Sequence, residues 1–413
     1  MPRLLVLSTG VPHPSIGANV VAQHIYLTAF RDAGYEILQV MLLKKGVDDL
    51  RDAKRHQEEF SSPSFRILPV PVAGFLASGR SILQSFRPVS LPKDCTDAIC
   101  DFAPEICFCM DIAAAGVRSR LPLSVKTVVW LGDLNFDVAW YKALYAMREN
   151  LFSVLSLPFA WWEAQKWRAF YRSALSKTKV IASVFSSVAS LRKIGIHATY
   201  LPYAWPTPPL PERIPPKPVK PTFVFFGHLS GLGSRSAFHF LTKKLYPQLV
   251  SLWGRDGFSI VICGIHAVPP WVQKSLAGIS EVRILGFVEN IAEVLLSSHG
   301  VIVPIDVPIG NRTRIITSLA LGVPVIAHAN TALGNPRLTD GKTCFLAKDA
   351  AVFVERMQHV YRGGEDIEEI IRNGKRLYGE ENDPRVATQA LLKELRQLEK
   401  NSLTSSAGTR QTL

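Results

Sequence analysis

One segment of this 413-residue chain combines the residue types that bind phosphate: VIVPIDVPIGNRTRIITSLALGVPVI. A strand-like run, Val301–Pro304, leads into a polar loop with Gly310, Arg312 and Arg314, and an apolar helix is predicted over Ile315–Leu321. Unpaired amide groups and the helix dipole favour an anion at a helix start. Arginines add bidentate donors to phosphate oxygens. The loop is therefore predicted to bind phosphate.

The chain divides into two halves, and each opens with a buried strand, a glycine-bearing loop and a helix. LLVLSTG begins the first half, and FVFFGHL begins the second after the proline-rich stretch PYAWPTPPLPERIPPKPVKP. Proline at this density excludes a helix or a central strand, and such a stretch is typical of a stiff spacer. The alternation of strands and helices predicts an α/β fold with two Rossmann-like, doubly wound domains facing across a cleft.

The predicted domain boundaries follow from these transitions. They are residues 1–203 for an N-terminal Rossmann-like domain, 204–221 for a proline-rich linker, 222–385 for a C-terminal Rossmann-like domain, 386–400 for a terminal helix that crosses back to the first domain, and 401–413 for a disordered tail of small polar residues. Ligands of open parallel sheets bind beyond the carboxyl ends of the strands, which predicts a site in the cleft. Two independent domains on a tether remain the alternative.

Composition indicates a globular protein and an anionic partner. The chain is 47% apolar and 20% charged, and no apolar run is long enough to cross a bilayer. The six cysteines have neither zinc-finger spacing nor disulfide density, which predicts reduced core thiols and a cytoplasmic location. The net charge of +13 suits phosphorylated or lipid partners. Nucleic acid is not expected, because no basic stripe with aromatic stacking residues is present.

A basic, aromatic-rich stretch predicts a membrane-facing surface. Residues 151–172, LFSVLSLPFAWWEAQKWRAFYR, interleave tryptophans and phenylalanines with lysine and arginine, and residues 75–93 have a similar character. Together with the positive charge, this predicts peripheral attachment to the anionic inner face of the cell membrane. The alternative is a pair of ordinary packed helices with a basic outer side.

The second half resembles the retaining glycosyltransferases of the GT-B fold, in particular the large family-four group. The resemblance is carried by an ordered set of motifs: FVFFGHL, LYPQL, SIVICG, ILGFVENIAEVL, VIVPI, GNRTR and LALGVPVIAHA. The G-x-R-x-K loop of that family corresponds to Gly310, Arg312 and Arg314. Two positions depart from the pattern. Thr317 stands where the family carries a glutamate that grips the donor ribose, and Ser234 stands where asparagine is common.

The resemblance implies transfer of a sugar from a nucleotide-diphosphate donor to an acceptor hydroxyl, with retention of configuration. It implies neither a metal nor a cofactor besides the donor, and it suits cell-surface polysaccharide or glycolipid synthesis on a saccharide or lipid-linked acceptor. Cations stabilise the charge that develops on the leaving diphosphate. The predicted catalytic residues are Arg312, Arg314 and Asp133, and the predicted donor-binding residues are Gly17, Gly227, His228, Gly310, Asn311, Thr317, Ser318, Val288 and Glu289.

Several of these residues also have structural interpretations. Gly17 is suited to a turn, Asp133 to a turn or helix cap, and His228 to a loop contact, while Asn290 is predicted to be an N-cap. Two other functions remain open for the whole chain. A sugar-nucleotide epimerase of this architecture needs paired acid and base groups. A non-catalytic nucleotide-sugar-binding protein is favoured by Thr317.

Overall fold

The structure is a computed structural model that describes residues 1–15, 17–77, 86–229, 231–264, 267–310 and 312–408, with the side chains of 400–408 left aside. The chain forms two compact units. The first contains Met1–Ala143, Ser153–Ala204 and the chain from Pro384 onward, and the second contains Leu144–Phe152 and Trp205–Asp383.

A seven-stranded parallel sheet forms the centre of the first unit, in the order β3-β2-β1-β6-β7-β8-β9. Its strands, with a separate two-stranded pair, are β1 (Arg3–Thr9), β2 (Glu36–Lys44), β3 (Phe65–Val72), β4 (Leu76–Ala77), β5 (Arg87–Pro88), β6 (Ile106–Cys109), β7 (Lys126–Leu131), β8 (Lys179–Ala182) and β9 (Ala198–Tyr200). Strands β1, β2 and β6 are almost continuously apolar because both faces of the sheet are covered by helices. The strand order reverses between β1 and β6, which pair directly.

Helices connect these strands and close the unit. They are α1 (Ala18–Asp32), α2 (Leu50–Phe60), α3 (Lys93–Phe102), α4 (Ile112–Arg118), α5 (Asn135–Glu149), a 3-10 helix (Leu151–Ser156), α6 (Leu157–Ala174), α7 (Phe185–Arg192) and, at the end of the chain, α15 (Pro384–Gly408). Helix α15 packs on the first unit, where Lys126 Nζ donates to Leu398 O at 3.0 Å and Lys179 pairs with Glu394.

A six-stranded parallel sheet forms the second unit, in the order β12-β11-β10-β13-β14-β15. Its strands are β10 (Thr222–Phe226), β11 (Ser259–Cys263), β12 (Val282–Gly286), β13 (Gly300–Val303), β14 (Val325–His328) and β15 (Phe345–Ala347). The order reverses between β10 and β13, which are adjacent. The predicted class, α/β with two Rossmann-like doubly wound domains, is confirmed.

The helices of the second unit begin close to the loops after the strands. They are α8 (Leu232–Phe240), a π-helical turn (Leu241–Leu245), α9 (Tyr246–Trp253), α10 (Pro270–Ser275), α11 (Ile291–Leu296), α12 (Thr313–Leu321), a 3-10 helix (Ala329–Leu333), α13 (Ala350–Arg362) and α14 (Glu365–Glu381). Helix α12 ends at Gly322, whose φ of 69° is the left-handed conformation that glycine adopts without strain.

The observed boundaries differ from the predicted ones in three places. The proline-rich stretch belongs to the second unit, because Thr207 Oγ1 bonds to Tyr378 Oη at 2.8 Å and Tyr361 Oη donates to Val219 O at 2.8 Å. The short segment Leu144–Phe152 is also part of that unit. Helix α15 extends to Gly408, whereas a disordered tail was predicted from residue 401, since no glycine or proline interrupts the helix before Gly408. Residues 409–413 of that tail lie outside the described residues.

Candidate functional site

The loops at the carboxyl edge of the second sheet carry glycines at positive φ, a backbone conformation that residues with a Cβ rarely adopt. Gly227 follows β10 with φ 101°, Gly264 follows β11 with φ 84°, Gly286 ends β12 with φ 78°, and Gly310 follows β13 with φ 83°. Positive φ is costly for residues that have a Cβ. Gly227 and Gly310 follow β10 and β13, the two strands between which the strand order reverses, and that is where sheets of this kind bind ligands.

Two of these glycines also allow the loops to approach one another closely. The Gly227 amide donates to Cys263 O at 2.9 Å, and the Gly264 amide donates to Gly286 O at 2.8 Å. A Cβ on Gly264 would lie 3.0 Å from the Gly227 nitrogen. The edge of the sheet is therefore lined by main chain rather than by side chains, and a ligand can reach it closely.

Arg314, in the first turn of α12, holds the loop after β10. Its Nε donates to Phe226 O, and its Nη2 donates to His228 O at 3.1 Å and to Ser234 Oγ at 2.8 Å. The guanidinium also lies 4.9 Å from the centre of the Phe225 ring. Its described hydrogen bonds thus fix the loop, and the Ser234 that replaces the family's asparagine is one of its acceptors.

Arg312 lies beside Arg314 at the N-cap position of the same helix. Its Nη2 donates to Val307 O at 3.0 Å, and a Cβ on Gly233 would lie 3.0 Å from its Nη1. Burial, and to a smaller extent the charge of Arg312, lower the pKa of Arg314 to about 10. Two neighbouring guanidinium groups at a helix start form an electropositive point that favours an anion.

The hydroxyl of Thr317, one turn further along α12, accepts a hydrogen bond from an indole. Trp205 Nε1 donates to Thr317 Oγ1 at 2.8 Å, and the threonine is almost fully buried. Ser318 is completely buried, and its hydroxyl donates to Arg314 O in its own helix at 2.7 Å. Both residues therefore have defined structural partners, and their assignment to donor binding stays a prediction.

The remaining donor-binding candidates lie on loops at the same edge. His228 is exposed, and its carbonyl oxygen accepts from both Arg314 and Ser234. Val288 and Glu289 follow β12, half-buried and exposed respectively. Asn290 is the N-cap of α11 and accepts from Ala292 N at 3.1 Å, so that prediction is confirmed. Asn311 lies outside the described residues.

Asp306 anchors the loop between β13 and α12. Its carboxylate pairs with Arg148 Nη1 at 2.6 Å, and its carbonyl oxygen accepts from Asn330 Nδ2. Arg148 comes from the short segment that belongs to the second unit, where Tyr145 Oη also donates to Arg235 O at 3.0 Å. These bonds fix the start of the loop that carries both arginines.

In the first unit, the predicted residues lie beyond the carboxyl ends of β1 and β7. Gly17 precedes α1 with φ 86°, and a Cβ there would approach Val20 to 3.0 Å, so its backbone requires glycine. Asp133 is exposed between β7 and α5, at the predicted strand end. Their roles toward a ligand stay predictions.

A buried carboxylate at this edge was missed by sequence reasoning. Asp111 follows β6, accepts from Ala114 N at 2.7 Å as the N-cap of α4, and accepts from the Thr9 hydroxyl at the end of β1. Burial raises its pKa above the ordinary carboxyl value. The strand-end rule that selected Asp133 would also have selected Asp111. No pattern in the sequence indicated a role for Trp205, because its contact with Thr317 depends on tertiary packing.

Among the described residues, no group of three histidine, cysteine, aspartate or glutamate side chains is arranged to hold a metal ion. Over the same residues, no helix has the length and apolar character that a membrane crossing requires.

Comparisons with known proteins agree with this architecture. Residues 220–363 match the family described as Glycosyl transferases group 1. A search of curated protein sequences finds no match. Over these residues the match confirms the resemblance to glycosyltransferases inferred from the sequence, and with it the predicted enzyme class, a glycosyltransferase.

Solved structures of similar fold cover nearly the whole chain. Sucrose-phosphate synthase from Thermosynechococcus elongatus has a TM-score of 0.66 at 13% identity, covering 97% of this chain and 100% of its own. A glycosyltransferase from Rickettsia africae has a TM-score of 0.64 at 12% identity, covering 97% and 99%. HepE from Anabaena, solved in complex with UDP-glucose, has a TM-score of 0.62 at 12% identity, covering 96% and 99%. At these identities the likeness shows the fold.

Proposed function

We propose that the chain transfers a sugar from a nucleotide-diphosphate sugar to an acceptor hydroxyl, with retention of configuration and without a metal ion. The observation that carries this proposal is the cluster of Arg312 and Arg314 with Gly227 and Gly310, at the start of α12 and at the reversal point of the sheet. Helix-end amides and guanidinium groups stabilise the negative charge that a departing diphosphate acquires.

Arg312 and Arg314 have different roles in this proposal. Arg314 holds the loop after β10 through Phe226 and His228, so that the loop amides face the diphosphate in a fixed orientation. Arg312, at the N-cap position, supplies positive charge to the leaving group. The donor phosphate takes the proton of the acceptor hydroxyl, and attack occurs on the face from which the diphosphate leaves.

The donor ribose meets a different group from the one the family pattern provides. Thr317 has no carboxylate, and its oxygen already accepts from Trp205. We infer that the ribose of the donor nucleotide is bound by neutral groups near the Trp205 indole rather than by a charged side chain. HepE binds UDP-glucose, so uridine nucleotides are the first donors to test.

The setting of the reaction follows from charge and composition. The net charge of +13 favours an anionic surface, and a saccharide or lipid-linked acceptor at the inner face of the cell membrane would place the enzyme in cell-surface polysaccharide or glycolipid synthesis.

A panel of nucleotide sugars, with thermal shift for binding and nucleotide release for turnover, tests the proposal. We expect one donor to stabilise the protein and to release nucleoside diphosphate when an acceptor is added. Arg312→Ala should reduce turnover by at least about 100-fold while the protein stays folded, with a melting temperature lowered only by the loss of the hydrogen bond to Val307 O. The matched control is Arg283→Ala, an exposed arginine on β12, which should retain full turnover. Equal rates in both variants would remove Arg312 from the mechanism.

One observation favours a second candidate, a non-catalytic nucleotide-sugar-binding protein. The hydroxyl of Thr317 is bonded to Trp205, and the family glutamate is absent. This candidate predicts stabilisation by a nucleotide sugar with no nucleotide release for any acceptor. An epimerase would instead change the sugar without acceptor-dependent release.

A further inference from the structure

The start of α6 and the 3-10 helix before it expose large apolar side chains. Leu155 is 80% exposed, Phe159 is 71% exposed and Trp161 is 51% exposed, and Val154 is exposed as well. Leu151 and Phe152, immediately before, are also exposed. Large apolar side chains concentrated in one short stretch of surface mark an interaction site rather than ordinary scatter. We call Val154–Trp161 the exposed apolar segment.

Packing of α6 in the first unit does not use these side chains. The helix is buried through Ala160, Ala164, Phe170, Tyr171 and Ala174. Small residues at 160 and 164, one turn apart, bring this face close to its neighbours. Phe159 and Trp161 lie on either side of that face and remain outside the core. An ordinary packed helix with a polar outer side therefore does not describe this end of α6.

Cations follow the aromatic residues on the same faces of the helix. Lys166 lies seven residues after Phe159, and Arg168 lies seven residues after Trp161. Seven residues are about two turns, or about 10 Å along the axis. Gln165 links Trp161 and Arg168, because its side-chain oxygen accepts from Arg168 Nη1 at 2.8 Å and from Trp161 Nε1 at 3.2 Å. Both cations are half-buried, with Lys166 Nζ 5.0 Å from the centre of the Phe86 ring and the Arg168 guanidinium 5.5 Å from that of Phe136. The helix thus has an exposed apolar tip and, two turns behind it, a partly covered cationic band formed by Lys166 and Arg168.

We propose that the exposed apolar segment inserts into an anionic lipid bilayer. Leucine and aromatic side chains at the tip enter the boundary between headgroups and acyl chains, and the cations about 10 Å behind them meet the lipid phosphates. Charge supports this partner, since the chain carries a net charge of +13. The described helices contain no bilayer-crossing candidate, so the attachment is peripheral. The inference is independent of sugar transfer, because vesicle binding needs neither donor nor acceptor.

Flotation with vesicles of neutral phosphatidylcholine, and of phosphatidylcholine containing phosphatidylglycerol, tests the inference on the full chain. We expect binding to the anionic vesicles, and a fall of about tenfold or more in the partition coefficient for the double variant Leu155→Gln with Phe159→Gln. The matched control is Leu210→Gln with Val219→Gln, at residues 68% and 93% exposed in the second unit. It should bind as the unmodified protein does. All three proteins should melt at the same temperature, because each replaced side chain is exposed.

A separate measurement tests the contribution of the cationic band to vesicle binding. Lys166→Gln should weaken binding to anionic vesicles by about fivefold and leave any binding to neutral vesicles unchanged. Equal partitioning of the Leu155/Phe159 double variant and the unmodified protein would overturn the inference, as would an absence of binding to anionic vesicles at low salt. A dimer that the double variant converts to a monomer, without vesicle binding, would also overturn it, since the segment would then contact a second copy of the chain.

Discussion

Replacing Arg314 by lysine separates two roles of this residue, which are to fix the loop after β10 and to supply positive charge. The guanidinium donates to Phe226 O at the end of β10, to His228 O in the loop after it, and to Ser234 Oγ in the first turn of α8. The single ammonium group of lysine is compact and does not reproduce the planar fork. We therefore expect Arg314→Lys to retain the charge and to lose about two of the three hydrogen bonds.

The size of the effect follows from these bonds. Each hydrogen bond to a charged group contributes roughly 1.5–3 kcal/mol. Because His228 is exposed, water replaces part of the loss, and we expect the free energy of unfolding to fall by about 2–3 kcal/mol. For a unit of this size that corresponds to a decrease of about 5–10 °C in the melting temperature. Nucleotide affinity should also fall by about tenfold, since the loop amides lose their orientation.

Thermal unfolding, and calorimetric titration with the nucleotide of the donor that the panel identifies, measure the two effects on the same samples. Arg283→Lys, on the exposed side of β12, is the matched control and should leave both quantities unchanged. Arg314→Ala, which also removes the charge, should bind this nucleotide more weakly than Arg314→Lys. A lysine variant with the melting temperature and nucleotide affinity of the unmodified protein would refute the loop-fixing role and leave charge as the only contribution of Arg314.

Three further predictions concern separate parts of the structure. Gly227→Ala should lower the free energy of unfolding by about 1–2 kcal/mol, measured by urea denaturation, because φ is 101° and the new Cβ would lie 3.0 Å from the Arg314 guanidinium. Trp205→Phe should cost about 1 kcal/mol, and a double-mutant cycle with Thr317→Val should show coupling of similar size through their hydrogen bond. Burial lowers the pKa of His56 from 6.5 to about 4, so its contribution is present above pH 6.5 and is lost as the pH falls toward 4. Stability measured against pH should therefore fall by about 3 kcal/mol more in the unmodified protein than in His56→Leu.

Each of these predictions has a control and a contrary result. Gly132→Ala is the control for Gly227, because a Cβ at Gly132 meets no atom within 4 Å. Additive losses in the Trp205 cycle would show that the indole bond does not contribute to stability. Parallel pH profiles for the His56 variant and the unmodified protein would show that the imidazole is not held neutral by the fold.

The sequence predicted the elements that carry the site, but not all their bounds. Helix α12 was predicted from residue 315 and begins at Thr313. Helix α14 and strand β15 were not predicted. The apolar residues Ile367, Ile370 and Leu377 of α14 recur at helical spacing, a local signal that sequence reasoning missed, and the helix packs against α12.

Sequence alone determined the two α/β units and led to the prediction of a phosphate-binding loop with Arg312 and Arg314, because hydrophobic periodicity, glycines and arginine spacing are local properties of the chain. Tertiary structure decided what Arg314 and Thr317 contact. Arg314 reaches carbonyl oxygens more than eighty residues away, and Thr317 accepts from an indole more than a hundred residues before it. The packing of parallel strands brings these partners together, because it places loops that are distant in the sequence at one edge of the sheet. No local sequence pattern predicts such contacts.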